Sequence, residues 1–255
     1  MARRLAEAGR QGLDALLAVL LAPDCATCGT VLDAPTRGPV CAACWRAVRR
    51  ITPPVCDRCG DPLPAGQTAT PPPARCRRCR QPHALIAHRR AAGPYEGTLR
   101  RLVHAFKYEQ RHTLAPRLGG LMRESGAGIL GGVDCAVAVP LHPRRHRTRG
   151  FNQAAELAVQ LGLPVVGALR RTRATAPQTE LPASRRRVNV RGAFAPARRL
   201  GVRSGGAVEG ACVLLVDDVT TTGATLDACA RVLRRAGARE VRALTLARAV
   251  HRART

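Results

Sequence analysis

Residues 213–225 read VLLVDDVTTTGAT and leave little freedom in how the chain around them folds. The apolar run shows no alternation, as a strand buried on both faces of a parallel sheet does. Asp217 and Asp218 close the strand, and a turn of Thr220, Thr221, Thr222 and Gly223 follows. Leu226, Cys229, Ala230 and Leu233 then recur at helical spacing up to a stop at Gly237. A turn at the carboxyl end of a parallel strand is where open α/β sheets bind ligands. Free amides at a helix N-terminus, with hydroxyls beside them, favour a phosphate. Two carboxylates next to that cradle would repel a bare anion, so the ligand they suit brings sugar hydroxyls or a divalent cation. A phosphorylated sugar with Mg²⁺ satisfies every part of the arrangement.

No Gly-Lys-Ser/Thr follows the glycine, which excludes a P-loop. At nearly every position the thirteen residues resemble instead the motif that binds 5-phosphoribosyl 1-pyrophosphate (PRPP) in type I phosphoribosyltransferases.

The chain has 255 residues, enough for one sizeable core and a small module. Its formal net charge is +25, nearly all from arginine, because Lys107 is the only lysine. Eight zinc-bound thiolates and two Zn²⁺ would leave about +21. Such a surface is either a solvated arginine-rich face or an attractor of polyanions: nucleic acid, a phosphorylated substrate or an anionic leaflet. Aromatic content of 2% argues against extended base-stacking platforms. Residues 13–22 are apolar but too short to span a bilayer and are interrupted by Asp14. With no cleavage site after them, residues 1–22 are expected to form an amphipathic helix whose leucines pack on protein, in a reducing cytoplasmic compartment.

Eight of the eleven cysteines form four Cys-x-x-Cys pairs: Cys25/Cys28, Cys41/Cys44, Cys56/Cys59 and Cys76/Cys79. Each pair puts two thiolates on one tetrahedral ion, and two pairs close a Cys₄ site. Gly29 and Gly60 follow the first pair of each couple, where a zinc knuckle turns. Residues 23–82 are therefore expected to be two structural Zn²⁺ ribbons, one or both occupied. Sequential pairing is the simpler arrangement and interleaved ligation the other. Residues 62–73, with three consecutive prolines, are expected to be an extended loop.

Residues 83–132 read as a connector and hood-like segment. It holds a short strand near residues 91–95 and a helix with Leu99, Leu102, Val103 and Phe106 on its apolar side, ending at Lys107. Residues 133–249 read as the α/β core, and 250–255 as a polar tail. Strands are expected at 133–139 and 163–169, and a last one at 240–247. After Pro140 comes a basic loop, residues 141–150, with Arg144, Arg149 and two histidines, His142 and His146. Arginine forks bind phosphate oxygens bidentately, so this loop suits an anionic leaving group. Asn152 either caps the next helix or meets ligand. Residues 170–193 show neither period and are rich in arginine, as in a cationic lid.

Together the paired Cys-x-x-Cys ribbons, His104-Ala105-Phe106-Lys107-Tyr108, Arg149-Gly150-Phe151-Asn152-Gln153, the Gln178…Arg187…Asn189…Phe194 segment and the PRPP-like motif resemble the ComF family over most of residues 23–249. The resemblance implies a type I phosphoribosyltransferase fold, a parallel sheet flanked by helices, behind a zinc-ribbon module. It implies that Asp217 and Asp218 bind the ribose hydroxyls and help hold Mg²⁺-PRPP. Thr221, Thr222, Gly223 and Thr225 would cradle the 5′-phosphate, and the loop carrying Arg144 and Arg149 would face the pyrophosphate. It further implies a cytoplasmic protein, free or peripheral to the inner membrane. Its role would be in DNA uptake, with single-stranded DNA and other competence proteins at the inner face of the membrane as partners. Whether PRPP is turned over, and onto which nitrogenous acceptor, is not implied; a non-catalytic sensor or adaptor is the alternative.

Overall fold

The computed structural model describes residues 2–63, 74–80, 85–109, 111–174, 185, 188–197 and 208–249. Four strands make an all-parallel sheet in the order β1-β6-β5-β2: β1 is Arg89–Pro94, β2 Cys135–Ala138, β5 Cys212–Thr220 and β6 Glu240–Arg248. In β5, Leu214 and Val216 enter one core while Val213 and Leu215 enter the other, all four fully excluded from solvent. Both faces are covered, which is why the run carries no polar alternation.

One face is covered by α3 (Gly97–Tyr108), α4 (Ala115–Leu130) and α6 (Gln153–Val159). Leu99, Leu102, Val103 and Phe106 of α3 fall at the i, i+3, i+4, i+7 positions and are all buried. Each such side chain stabilises the fold by about 1.5–3 kcal/mol. The other face is covered by α7 (Ala224–Arg235) and an antiparallel pair, β3 (Leu169–Arg171) with β4 (Phe194–Pro196). Cys135 and Cys229 are buried here and Cys212 is buried at the start of β5, and burial raises each thiol above its ordinary pKa. They behave as small hydrophobes.

Three expectations change. Residues 163–169 do not form a full strand. Only Val165 bridges to Ala136, and the regular strand starts at Leu169 in a different sheet. Pro164 has no N–H to donate and Gly167 no side chain to pack, so the parallel ladder stops after one bridge. Residues 141–150 are not an open loop, since Pro143–Arg149 is a short helix, α5. Pro143 occupies its first turn, His142 Nδ1 accepts the Arg144 N–H, and Gly150 ends it in the left-handed region at φ 77°.

The third change concerns α1 (Ala2–Leu21). Leu13, Leu16 and Leu20 are 49%, 55% and 69% exposed, while Asp14 is buried and accepts the Thr36 N–H at 2.8 Å. The charge that interrupts the apolar run is what anchors the helix. Residues 64–73 of the proline-rich segment lie outside the described residues. So do 175–184 and 186–187 of the expected lid, including Gln178, and the tail from 250 onward.

Candidate functional site

The carboxyl end of β5 opens into a cleft of about 170 Å³. Asp217 and Asp218 line it together with the turn residues Thr220, Thr221, Gly223 and Thr225. Four basic residues line it as well: Lys107 from α3, Arg145 and Arg149 from α5, and Arg171 from β3. Tyr95 and Tyr108, the only tyrosines of the chain, face the same space.

The two acids are not equivalent. Asp218 is buried, and Lys107 Nζ lies 2.8 Å from its Oδ1, with both side chains only about an eighth exposed (13% and 12%). Asp217 accepts the backbone N–H of Asp218 at 2.9 Å. Burial and then the adjacent charge of Asp218 push its carboxyl up to about 7, against the weaker pull of Lys107 and Arg171. One acid therefore has its cation, and the other is short of positive charge or hydroxyl donors. Two hard carboxylate oxygens that open on a cleft suit Mg²⁺, which completes its shell with water and substrate oxygens.

Gly223 sits at φ 81° as the N-cap of α7, a conformation that a residue without Cβ adopts at little cost. Its carbonyl accepts the Asp227 N–H at 2.9 Å, and Thr222 Oγ1 accepts the Ala224 N–H at 3.4 Å. Thr222 thus serves the cap, while Thr221 and Thr225 line the cleft. A helix begun this way presents its first-turn amides and the positive end of its dipole to the same space.

On the basic side, Arg149 is held by three contacts. It donates to Gln153 Oε1 at 3.2 Å and to Tyr108 Oη at 3.4 Å, and its guanidinium stands 5.1 Å from the Tyr108 ring centroid. Asn152 caps α6, its Oδ1 accepting the Ala154 N–H at 3.1 Å, and the residue also lines the cleft. Arg144 lies on the same short helix as Arg149 but is exposed and does not line the cleft; Arg145 does. His142 and His146 are also absent from the lining. Desolvation, then the field of Arg144 and Arg171, depresses the His142 imidazole below its ordinary pKa.

Arg145 and Arg171 come from the basic loop and the lid segment, whereas Lys107 and Tyr95 join the site from outside the segments expected to meet ligand. Lys107 carried one signal, its solitude in an arginine chain. Its partner in the structure is the Asp218 carboxylate.

The eight ribbon cysteines form two clusters, Cys25/Cys28/Cys41/Cys44 and Cys56/Cys59/Cys76/Cys79, which settles the pairing as sequential. Within each cluster the sulfurs lie within 4.8 Å of one another. Cys59 and Cys76 are 3.7 Å apart, and Cys28 and Cys41 are 4.0 Å apart. Four thiolates about 2.3 Å from a tetrahedral Zn²⁺ would be about 3.8 Å apart, so the donor sets fit that ion. Burial raises Cys25 and Cys56, but backbone N–H donors, the first being those of Cys41 and Cys59 respectively, outweigh it and hold the thiols at about 6 and about 7. Burial pushes Cys44 up to about 12 and Cys79 to about 11. A dication held by all four sulfurs would favour the thiolate form of each. Neither set leaves an open position, so any metal there is structural.

Comparison with known proteins adds two family matches: a "Double zinc ribbon domain" over residues 16–80 and a "Phosphoribosyl transferase domain" over residues 147–254. The DNA utilization protein YhgH of Salmonella typhi is 35% identical over 223 residues, which cover 82% of this chain and 90% of that one. Competence protein F of Haemophilus influenzae is 29% identical over 228 residues, with the same coverage of each. Competence protein ComFC of Streptococcus pneumoniae is 32% identical over 112 residues, 44% of this chain and 47% of that one.

Proposed function

The chain belongs to the ComF family, and on that premise we propose that its cleft binds Mg²⁺-PRPP and that it supports DNA uptake by aiding the import of single-stranded DNA. The observation that carries the reading is the convergence of opposite charges on one cleft. Asp217 and Asp218 stand beside a helix N-terminus, with Arg145, Arg149 and Arg171 across the same space.

Ribose 2′ and 3′ hydroxyls donate to the two carboxylates, which the Lys107 ion pair and the Asp218 amide hold apart in role. The 5′-phosphate sits on the turn of Thr221, Thr222, Gly223 and Thr225, where amides and the α7 dipole meet it. The pyrophosphate faces Arg149 and Arg145, with Arg144 farther out on α5. Asp217 and Asp218 are the residues that would hold Mg²⁺, which would supply neutralisation of the diphosphate charge. In a transfer step an acceptor nitrogen forms a bond to C1 of the ribose, the C1–O bond breaks, and pyrophosphate leaves with the electron pair toward the arginines.

A second reading is a PRPP-dependent sensor or adaptor without turnover. It is favoured by one observation: among the described residues no histidine lines the cleft to serve as a base. Zn²⁺ in the ribbons is structural in either case. The protein is read as cytoplasmic, free or peripheral to the inner membrane, where other competence proteins would be its partners. No described helix is long and apolar enough to cross a membrane.

Complementation tests the reading. In a naturally competent host lacking its own ComF gene, the wild-type chain should restore transformation and the Asp217→Asn/Asp218→Asn chain should not. Equal restoration by both would remove the cleft from the function. Pyrophosphate release over a panel of nucleobases then separates transferase from sensor.

A further inference from the structure

Thr220, Gly223 and Leu226 are shared between the cleft and a second, far smaller cavity, whose other walls include Arg89, Arg90 and Arg248. None of these three arginines lines the cleft. Arg89 opens β1, the edge strand of the sheet. Its guanidinium lies so close to Gly223 that a Cβ there would collide with it, and Nη2 donates to Asp227 Oδ1 in the first turn of α7. The Arg89 side chain is 21% exposed, so the contact is partly desolvated.

The main chain of the same residue is held from another direction. Its N–H donates to the Arg58 carbonyl at 2.7 Å, inside the Cys56–Cys59 knuckle. Its own carbonyl lies 2.6 Å from where a Cβ on Gly60 would sit. The neighbours repeat the attachment. Arg90 Nη1 donates to the Asp57 carbonyl at 2.9 Å, and Arg248 pairs with Asp61 at 2.8 Å and donates to the Cys59 carbonyl. The first ribbon docks elsewhere, through Arg117, which donates to the Val40 carbonyl at 2.8 Å and stands 4.2 Å from the Trp45 ring centroid. Its link to the sheet is the Ile51 N–H on the Ala92 carbonyl, three residues beyond Arg89.

We propose that Arg89 is a positioning residue that ties the phosphate turn to the second Cys₄ ribbon, so that metal in that ribbon and phosphosugar in the cleft strengthen each other's binding. The inference rests on the PRPP reading of the cleft. Folding of the knuckle fixes the start of β1, and β1 aims the guanidinium. The guanidinium then holds Gly223 and the first turn of α7 in the geometry that receives a phosphate, and places a positive charge behind it. Asp227 keeps that charge oriented. If the ribbon opens, the backbone anchor of Arg89 is lost and the turn relaxes. Binding linkage is reciprocal, so a ligand on the turn must hold metal in the ribbon by the same factor.

The test uses the full-length zinc-loaded chain, calorimetric titration with Mg²⁺-PRPP, and zinc release to a colorimetric chelator. Saturating PRPP should slow the release of one of the two zinc equivalents about tenfold and leave the other unchanged. Arg89→Met should bind PRPP about tenfold more weakly and lose that slowing, with two zincs per chain still present. Arg89→Lys, which keeps a cation beside Gly223, should recover part of both. Wild-type PRPP affinity in Arg89→Met, or zinc release indifferent to PRPP in the wild type, overturns the inference. A wild-type chain that binds no PRPP overturns the reading beneath it, and that result is distinct from either.

Discussion

Lys107 and Asp218 show how a single residue choice sets the character of the cleft. Their ion pair is largely withdrawn from solvent, so removing one partner leaves the other charged and poorly solvated. Lys107→Met should cost about 3 kcal/mol in denaturant unfolding, and Lys107→Met/Asp218→Asn should regain part of that loss. Additive losses would mean that the pair is not coupled. The position of Lys107 on the apolar helix was legible from spacing. Its partner was not, because the two residues lie 111 positions apart in sequence and no periodicity links them.

Asp217 carries a pH signature. Its carboxyl stands at about 7 in the folded chain against about 3.9 in an unfolded one, so the folded state holds the proton more tightly. Its contribution to stability is therefore fully present below about pH 4 and is lost as pH rises to about 7. The difference in unfolding free energy between wild type and Asp217→Asn, followed from pH 4 to 8, should change sharply over that window and level off above it. A difference that stays flat contradicts the shift. The acid pair itself was plain in the sequence; the asymmetry between its members needed the cation that the fold brings to only one of them.

At the scale of elements, β5 and α7 were legible because each has one dominant signal: an unbroken apolar run, and apolar residues at helical spacing after a glycine. Leu215 fills the core under α7 with no exposure, and Leu215→Ala should cost about 2–5 kcal/mol. Gly223→Ala should weaken phosphosugar binding more than it lowers stability. It forces a Cβ into a left-handed turn and against the Arg89 guanidinium, both at the ligand end of α7. Equal PRPP affinity in calorimetry would contradict the role given to that turn.

Elements whose signals conflict were less legible. In α5, Pro143 at the start and Gly150 at the end mark a helix, but four arginines between residues 144 and 149 read as a solvated loop. The β3–β4 pair is three residues on each side and long-range, below what a period of two can mark. In α1 the leucines suggested an inward face. The structure buries Asp14 instead, where it accepts the Thr36 N–H, and leaves Leu13, Leu16 and Leu20 exposed.

For the whole molecule, the +25 formal charge is spread over both the ribbon module and the sheet domain. If it serves single-stranded DNA, oligonucleotide affinity should fall steeply with salt, with a slope of about −0.7 per phosphate neutralised. A flat dependence would show that the arginines are a solvated face. On the proposed reading the same charge would draw the anionic ends of PRPP toward the cleft, and the acid pair would disfavour a bare polyanion there. The proposed reading rests on that balance, because a cleft lined by both arginines and a carboxylate pair suits a ligand with both phosphates and hydroxyls.

Calorimetric titration of the zinc-loaded chain with PRPP, with and without Mg²⁺, tests this most directly. Saturable one-to-one binding that requires Mg²⁺ and is lost in Asp217→Asn/Asp218→Asn is the predicted result. No heat of binding in the wild-type chain, or binding indifferent to Mg²⁺ and to both carboxylates, would contradict the account.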